Sequence, residues 1–200
     1  MKKPLDKFPR KLTSQNIDKT IEDYLDLMEE IDPIVQSSNI FAFLTKLKRE
    51  KTDTGPYPEV TLFEAANRIM TDLVILFGVK ELLKGNIGEL TFDSYTVDLG
   101  HDNFQPNDIT AKNNNDSLMG EAFNVAKSFF PSKKSKSIKK MRNQQKGIEK
   151  LLLIFNSDAV KTGYVPRPRN NEYHLKVDLQ KCLSEYQLSS EALNRFGFKR

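Results

Sequence analysis

A single cysteine, Cys182, in 200 residues leaves no partner for an internal disulfide and points to a reducing, cytoplasmic setting. Its surroundings, Asp178-Leu-Gln-Lys-Cys-Leu, read as those of a small core filler. Apolar runs are far shorter than the ~20 residues a membrane helix needs, so no membrane partner is expected. The charged start MKKPLDKFPRKL is followed by no apolar stretch and does not read as a signal peptide. Glycines do not cluster ahead of a helix as a Walker loop or a dinucleotide fingerprint requires, so no nucleotide cofactor is expected. The two histidines, His101 and His174, lie far apart, both read as surface residues, and no His/Cys pair suggests structural zinc.

What is abundant is aromatic residues and localised positive charge. Thirteen Phe and six Tyr can fill a core. The net charge is only +4. Between Lys127 and Lys150, however, eight Lys and one Arg face one carboxylate, Glu149, so these residues alone carry +8. A concentrated field of this kind attracts a polyanion far better than the same charge spread evenly.

Periodicity organises the chain into a basic arm and helical extension over 1–58 and an α/β unit over 59–200. Residues 1–12 read as a flexible arm. Ile17, Ile21, Tyr24, Leu25 and Met28 recur at helical spacing, as do Ile40, Phe43, Leu44 and Leu47. The segment TDTGPYPE is a loop. Residues 59–83 form a long helix that Gly78 could end or bend. Strand-forming residues then fill 89–99, a short strand is expected at 107–112, and 118–126 reads as either strand or helix. FFPSKKSKS is taken as a basic loop, 137–146 as a helix ended by Gly147, and 150–156 as a strand buried on both faces. HLKVDL is a late strand, and the remainder is a short helical tail. A mixed central sheet flanked by helices buries these elements most simply.

Carboxylates are the available chemistry. Asp108 follows a Pro106-Asn107 turn and opens a strand. If 118–126 is also a strand, Glu121 lies at the same edge of its neighbour. Two such carboxylates, with a backbone carbonyl such as that of Ala122, form an oxygen site suited to Mg²⁺. A metal-bound water there could attack a phosphodiester. The bland alternative is a turn-capping Asp108 and a solvated Glu121. Glu64, on the long helix, is a third candidate, and Asp93 or Asp98 would replace Asp108 in another register. Lys133, Lys134, Lys136, Lys139, Lys140, Arg142 and Lys146 are candidate phosphate contacts. Arg167 and Arg169 are candidates in a later loop.

This order of elements, with Asp108 and Glu121 at the ends of successive strands, resembles the αβββαβ core of the PD-(D/E)XK nucleases, the superfamily of restriction endonucleases. The resemblance covers about residues 59–156. It implies a Mg²⁺-dependent type II endonuclease acting on double-stranded DNA as a homodimer. Asp108 and Glu121 would hold the metal, and Glu64 would match a helix glutamate of some members. The family places a lysine two residues after the glutamate; here that residue is Phe123. Lys127 or Lys112 is then expected to supply the ammonium. Two other readings stand beside this one: a non-catalytic DNA-binding protein using 127–150, and a helical interaction or regulatory protein built on 15–32 and 38–50.

Overall fold

The computed structural model describes residues 4–32, 35–85, 87–100, 105–144, 147, 149–167 and 169–186. Six strands form one mixed sheet whose spatial order follows the chain. They are β1 (Lys11–Thr13), β2 (Ser94–Val97), β3 (Ile109–Lys112), β4 (Ser117–Phe123), β5 (Glu149–Asn156) and β6 (Glu172–Val177). The pairs from β1 to β4 are antiparallel, whereas β4–β5 and β5–β6 are parallel. The helices are α1 (Ile17–Glu29), α2 (Ile40–Arg49), α3 (Leu62–Leu83), α4 (Phe130–Gln144) and α5 (Leu179–Glu185).

Burial follows from the strand sequences. In β4 every residue after Ser117 is buried, and β5 is the run EKLLLIFN. Strands apolar on both sides need cover on both faces. On one face Leu118, Ala122, Leu152 and Ile154 pack into a core with α1, α3 and α5. On the other, Met119, Phe123, Leu151, Leu153 and Phe155 meet Phe130 and Met141 of α4. The Phe130 ring lies 4.8 Å from that of Phe155, and Phe123 stacks on Phe155 at 5.9 Å. The β5–β6 connection runs over this second face too, where Tyr164 packs 5.4 Å from Phe130.

Of the two readings open for 118–126, the strand holds as far as Phe123. Other expectations are corrected. Residues 11–13 are an edge strand rather than part of a flexible arm, and Leu12 is fully buried. Alternation hides in so short a strand. The helix expected at 137–146 starts instead at Phe130, so the supposed basic loop is its first half. Pro131 suggested a loop, but a proline in the first turn sacrifices no intrahelical bond. Phe130, Ser137 and Met141 form the buried stripe.

Gly78 neither ends nor breaks α3, which continues to Leu83. A Cβ at this position would lie 2.7 Å from two side-chain carbons of Ile154. The missing side chain lets the helix lie directly on β5. Thr61 caps α3 by accepting the Glu64 N–H at 3.2 Å. None of the residues of α2 is buried, and Ile40, Phe41 and Leu44 face outward. Among the described residues no helix is long and apolar enough to cross a membrane.

Candidate active site

β3 and β4 are paired with Ile109 opposite Gly120. One further step of the same register sets Asp108 opposite Glu121. Ile109 and Ala111 of β3, and Leu118 and Ala122 of β4, belong to the core under α3. Strand alternation therefore turns Glu121 toward the α4 face, while Asp108 immediately precedes β3. The Asp108 carboxylate reaches past its neighbour and its Oδ2 accepts the Ala122 N–H at 2.7 Å. A residue's N–H and C=O leave a strand on the same side, so the Ala122 carbonyl also points toward the β3 edge.

Glu121 is almost fully buried, yet it has a cationic partner. Lys140 Nζ of α4 donates to its Oε1 at 2.6 Å. Burial raises the Glu121 pKa above the ordinary carboxylate range and the negative charge of Asp108 adds to the rise, while Lys140 and Lys133 oppose both. Two carboxylates that repel each other beneath an ammonium form a site that favours added positive charge.

These groups line a cavity of about 490 Å³ at the end of the sheet where β4 finishes and β3 begins. α3 supplies its far wall through Glu64, Arg68 and Asp72, one turn apart. Glu64 sits half-exposed, ion-paired with Arg68 at 2.5 Å. Asp72 is fully buried. Its Oδ2 accepts the Tyr24 hydroxyl at 2.7 Å and the Tyr57 hydroxyl as well. Burial lifts its pKa to about 7, against the pull of the two tyrosines and the Gly100 N–H, and Asp108 raises it further. Asp98 also lines the cavity, 3.6 Å from Arg10, and its backbone N–H bonds the Asp108 carbonyl at 2.9 Å.

The structure thus brings together Asp108, Glu121, Ala122 and Glu64 of the residues chosen from sequence. It separates two others from them. Lys112 pairs with Ser117, at the opposite end of the same two strands. Lys127 is exposed in the turn before α4 and does not line the cavity. Phe123 points into the aromatic core. The ammonium beside Glu121 belongs to Lys140, which the sequence marked as a phosphate contact.

Of the other basic candidates, Lys133 lines the same cavity. Lys134, Lys139, Arg142, Arg167 and Arg169 surround a second groove on the other flank of α4. Arg142 is ion-paired there with the buried Glu172 of β6. Lys136 lies on α4 outside both, and Lys146 and His101 fall outside the described residues. His174 is not a surface residue. Burial, and then the charge of Lys134, lowers its pKa to about 4.

Sequence reasoning missed Asp72 and assigned Lys140 only to phosphate contact, though the placement of both left a trace. Asp72 is the one charged residue in the mostly apolar run from Ile69 to Phe77. Lys140 adjoins the buried stripe of α4, which became legible only once the helix was extended back to Phe130.

Among the described residues no group of three or more His, Cys, Asp or Glu side chains is arranged to hold a metal ion. Two carboxylates can still suit Mg²⁺, which keeps several waters and commonly binds through one or two carboxylates and substrate phosphate. No family model, curated protein or solved structure gives a significant match to the chain.

Proposed function

We propose that the chain is a Mg²⁺-dependent endonuclease that hydrolyses phosphodiester bonds of double-stranded DNA, of the restriction type and built on the PD-(D/E)XK plan. The observation that carries this reading is the contact of Lys140 with the buried Glu121 beside Asp108. It supplies an acid, a second acid and an ammonium in one cavity, with the ammonium drawn from α4 instead of from position 123. The run α3, β2, β3, β4, α4, β5 supports the same reading.

A bound Mg²⁺ would be held by Asp108, Glu121 and the Ala122 carbonyl, and would acidify a water and offset charge on the phosphate. The chain's own groups do the rest. Lys140 holds Glu121 in its ionised, oriented form and offers its remaining protons to the attacking water or a phosphate oxygen. Lys133, on the rim, draws the phosphate inward. In the reaction the water oxygen bonds to phosphorus as the bond to the 3′-oxygen breaks. The water gives up a proton and the leaving oxygen takes one. Cutting both strands calls for two copies related by symmetry.

The absence of a three-ligand cluster among the described residues favours a second reading, a DNA-binding protein without catalysis. Plasmid DNA with the purified protein and Mg²⁺ separates the two. The nuclease reading expects nicked and linear plasmid from the parent, with cutting lost and binding retained in Glu121→Gln and in Lys140→Ala. Binding without cutting across varied DNAs, with Mg²⁺ or Mn²⁺, would give the protein to the second reading.

A further inference from the structure

The second groove has a composition of its own. It holds about 650 Å³ between α4 and the loop joining β5 to β6. Lys134 and Lys139 reach it from α4, Arg142 from the last turns, and Arg167 and Arg169 from the loop. Glu172 is the one carboxylate among its lining residues, and it is already neutralised. Its side chain is 5% exposed, it is ion-paired with Arg142, and its Oε2 accepts the Arg169 N–H at 3.1 Å. The floor is apolar and aromatic, formed by Phe130, Ile138 and Tyr164, with the Tyr164 hydroxyl 3.2 Å from Lys134 Nζ.

Cations gathered around a low-dielectric concavity repel one another, and the same focusing rewards an anion placed among them. The arrangement on α4 indicates which anion. Two pairs of sequence neighbours, Lys133–Lys134 and Lys139–Lys140, straddle the ridge of the helix. In each pair one member lines the carboxylate cavity and the other lines the groove. The pairs are about 9 Å apart along the axis. A small anion would occupy one side only. A chain of phosphates crossing α4 would be held on both.

We propose that this groove is a sequence-independent binding site for the phosphodiester backbone of a nucleic-acid strand that continues from the carboxylate cavity across α4. The inference rests on the proposed nuclease reading for the direction of the strand, but the binding it describes needs no catalysis.

The test uses the full chain carrying Glu121→Gln, without added metal, so that binding is read apart from cutting. Onto it are placed Lys139→Ala, Arg167→Ala and Arg169→Ala together. Arg142 is left intact because it holds Glu172. Affinity for a duplex and for a single-stranded oligonucleotide is measured across salt. Loss of three phosphate contacts should weaken binding roughly tenfold or more, and should flatten the log–log salt slope by about 2.7 on duplex or about 2 on single strands.

A loss on duplex assigns the groove to the intact helix, and a loss confined to single strands assigns it to a displaced strand. The control Lys51→Ala removes a cation elsewhere and should change neither affinity nor slope. An unchanged slope in the triple variant, or a background protein that binds no nucleic acid, overturns the proposal. Cutting by the protein with Glu121→Gln alone would sink the nuclease reading while leaving the groove measurement valid.

Discussion

Replacing Asp72 by Asn should change how stability depends on pH. The carboxyl is buried on α3, bonded by Tyr24 of α1, Tyr57 of the preceding loop and the Gly100 N–H, with Asp108 of β3 nearby. Its pKa is lifted from 3.8 to about 7, first by burial. Between those values the folded chain keeps a proton that the unfolded chain has lost. The resulting stabilisation is fully present below pH 3.8 and drains away as pH rises through about 7. At pH 5 it amounts to about 3 kcal/mol, and at pH 8 almost none remains.

Asn has no such proton to release. Urea unfolding followed by circular dichroism should therefore show the parent's advantage over Asp72→Asn shrinking by about 3 kcal/mol between pH 5 and 8. His174 and Glu121 titrate in both proteins and cancel in the difference. Tyr57→Phe provides a second arm. It removes a hydrogen bond that lowers the Asp72 pKa, so the fall in stability should move to higher pH. Parallel pH profiles for the parent and Asp72→Asn would refute a raised Asp72 pKa.

Three other expectations follow from particular contacts. Gly78→Ala should destabilise the fold by about 1–3 kcal/mol in urea, and adding Ile154→Val should return part of the loss, because the new methyl meets Ile154. Arg142→Ala strands the buried Glu172. Burial alone would raise the Glu172 pKa, but Arg142 and the Arg169 N–H outweigh it and hold the carboxyl below its ordinary range. The variant should therefore lose about 1–3 kcal/mol at pH 7, and the loss should shrink as pH falls and Glu172 takes up a proton. Lys112→Ala and Lys127→Ala should leave plasmid cutting within about twofold of the parent, whereas Lys140→Ala should lower it by roughly 10²-fold or more. Equal effects at all three lysines would contradict the assignment of the cavity ammonium.

The sheet was legible wherever its strands had one dominant periodicity. The apolar run Leu151–Phe155 announced a central strand, and the Pro106-Asn107 turn marked the start of β3, whereas 118–126 stayed open between strand and helix. β1 was not legible, because three residues carry too little alternation and Leu12 joins the core only as part of the assembled sheet. The first half of α4 was misread for a different reason. Pro131 and three lysines, Lys133, Lys134 and Lys136, outweighed a buried stripe whose apolar members, Phe130 and Met141, are three turns apart. Nothing local links Arg142 to Glu172 or Tyr24 to Asp72, since each pair joins elements far apart in sequence.

The same dependence on assembly explains the lysine. Glu121 and Phe123 lie on one face of β4, two residues apart, so a lysine at 123 would stand beside the carboxylate as the family pattern has it. Here that position closes the aromatic core, with Phe123 stacked on Phe155 and packed near Phe130. A charged side chain there would be buried among rings with no partner in that core. α4 passes over this face, however, and its stripe of Ser137 and Met141 turns inward toward the sheet. Lys140 adjoins that stripe, and its long side chain spans from helix to strand. The proposed hydrolysis would need an ammonium at the Glu121 oxygen, not at a particular place in the chain. A helix packed over the strand can supply it while the strand position goes to the core. On the proposed nuclease reading the motif would be incomplete as a linear pattern, and Lys140 would complete it from α4, where the helix start at Phe130 sets which lysine faces Glu121.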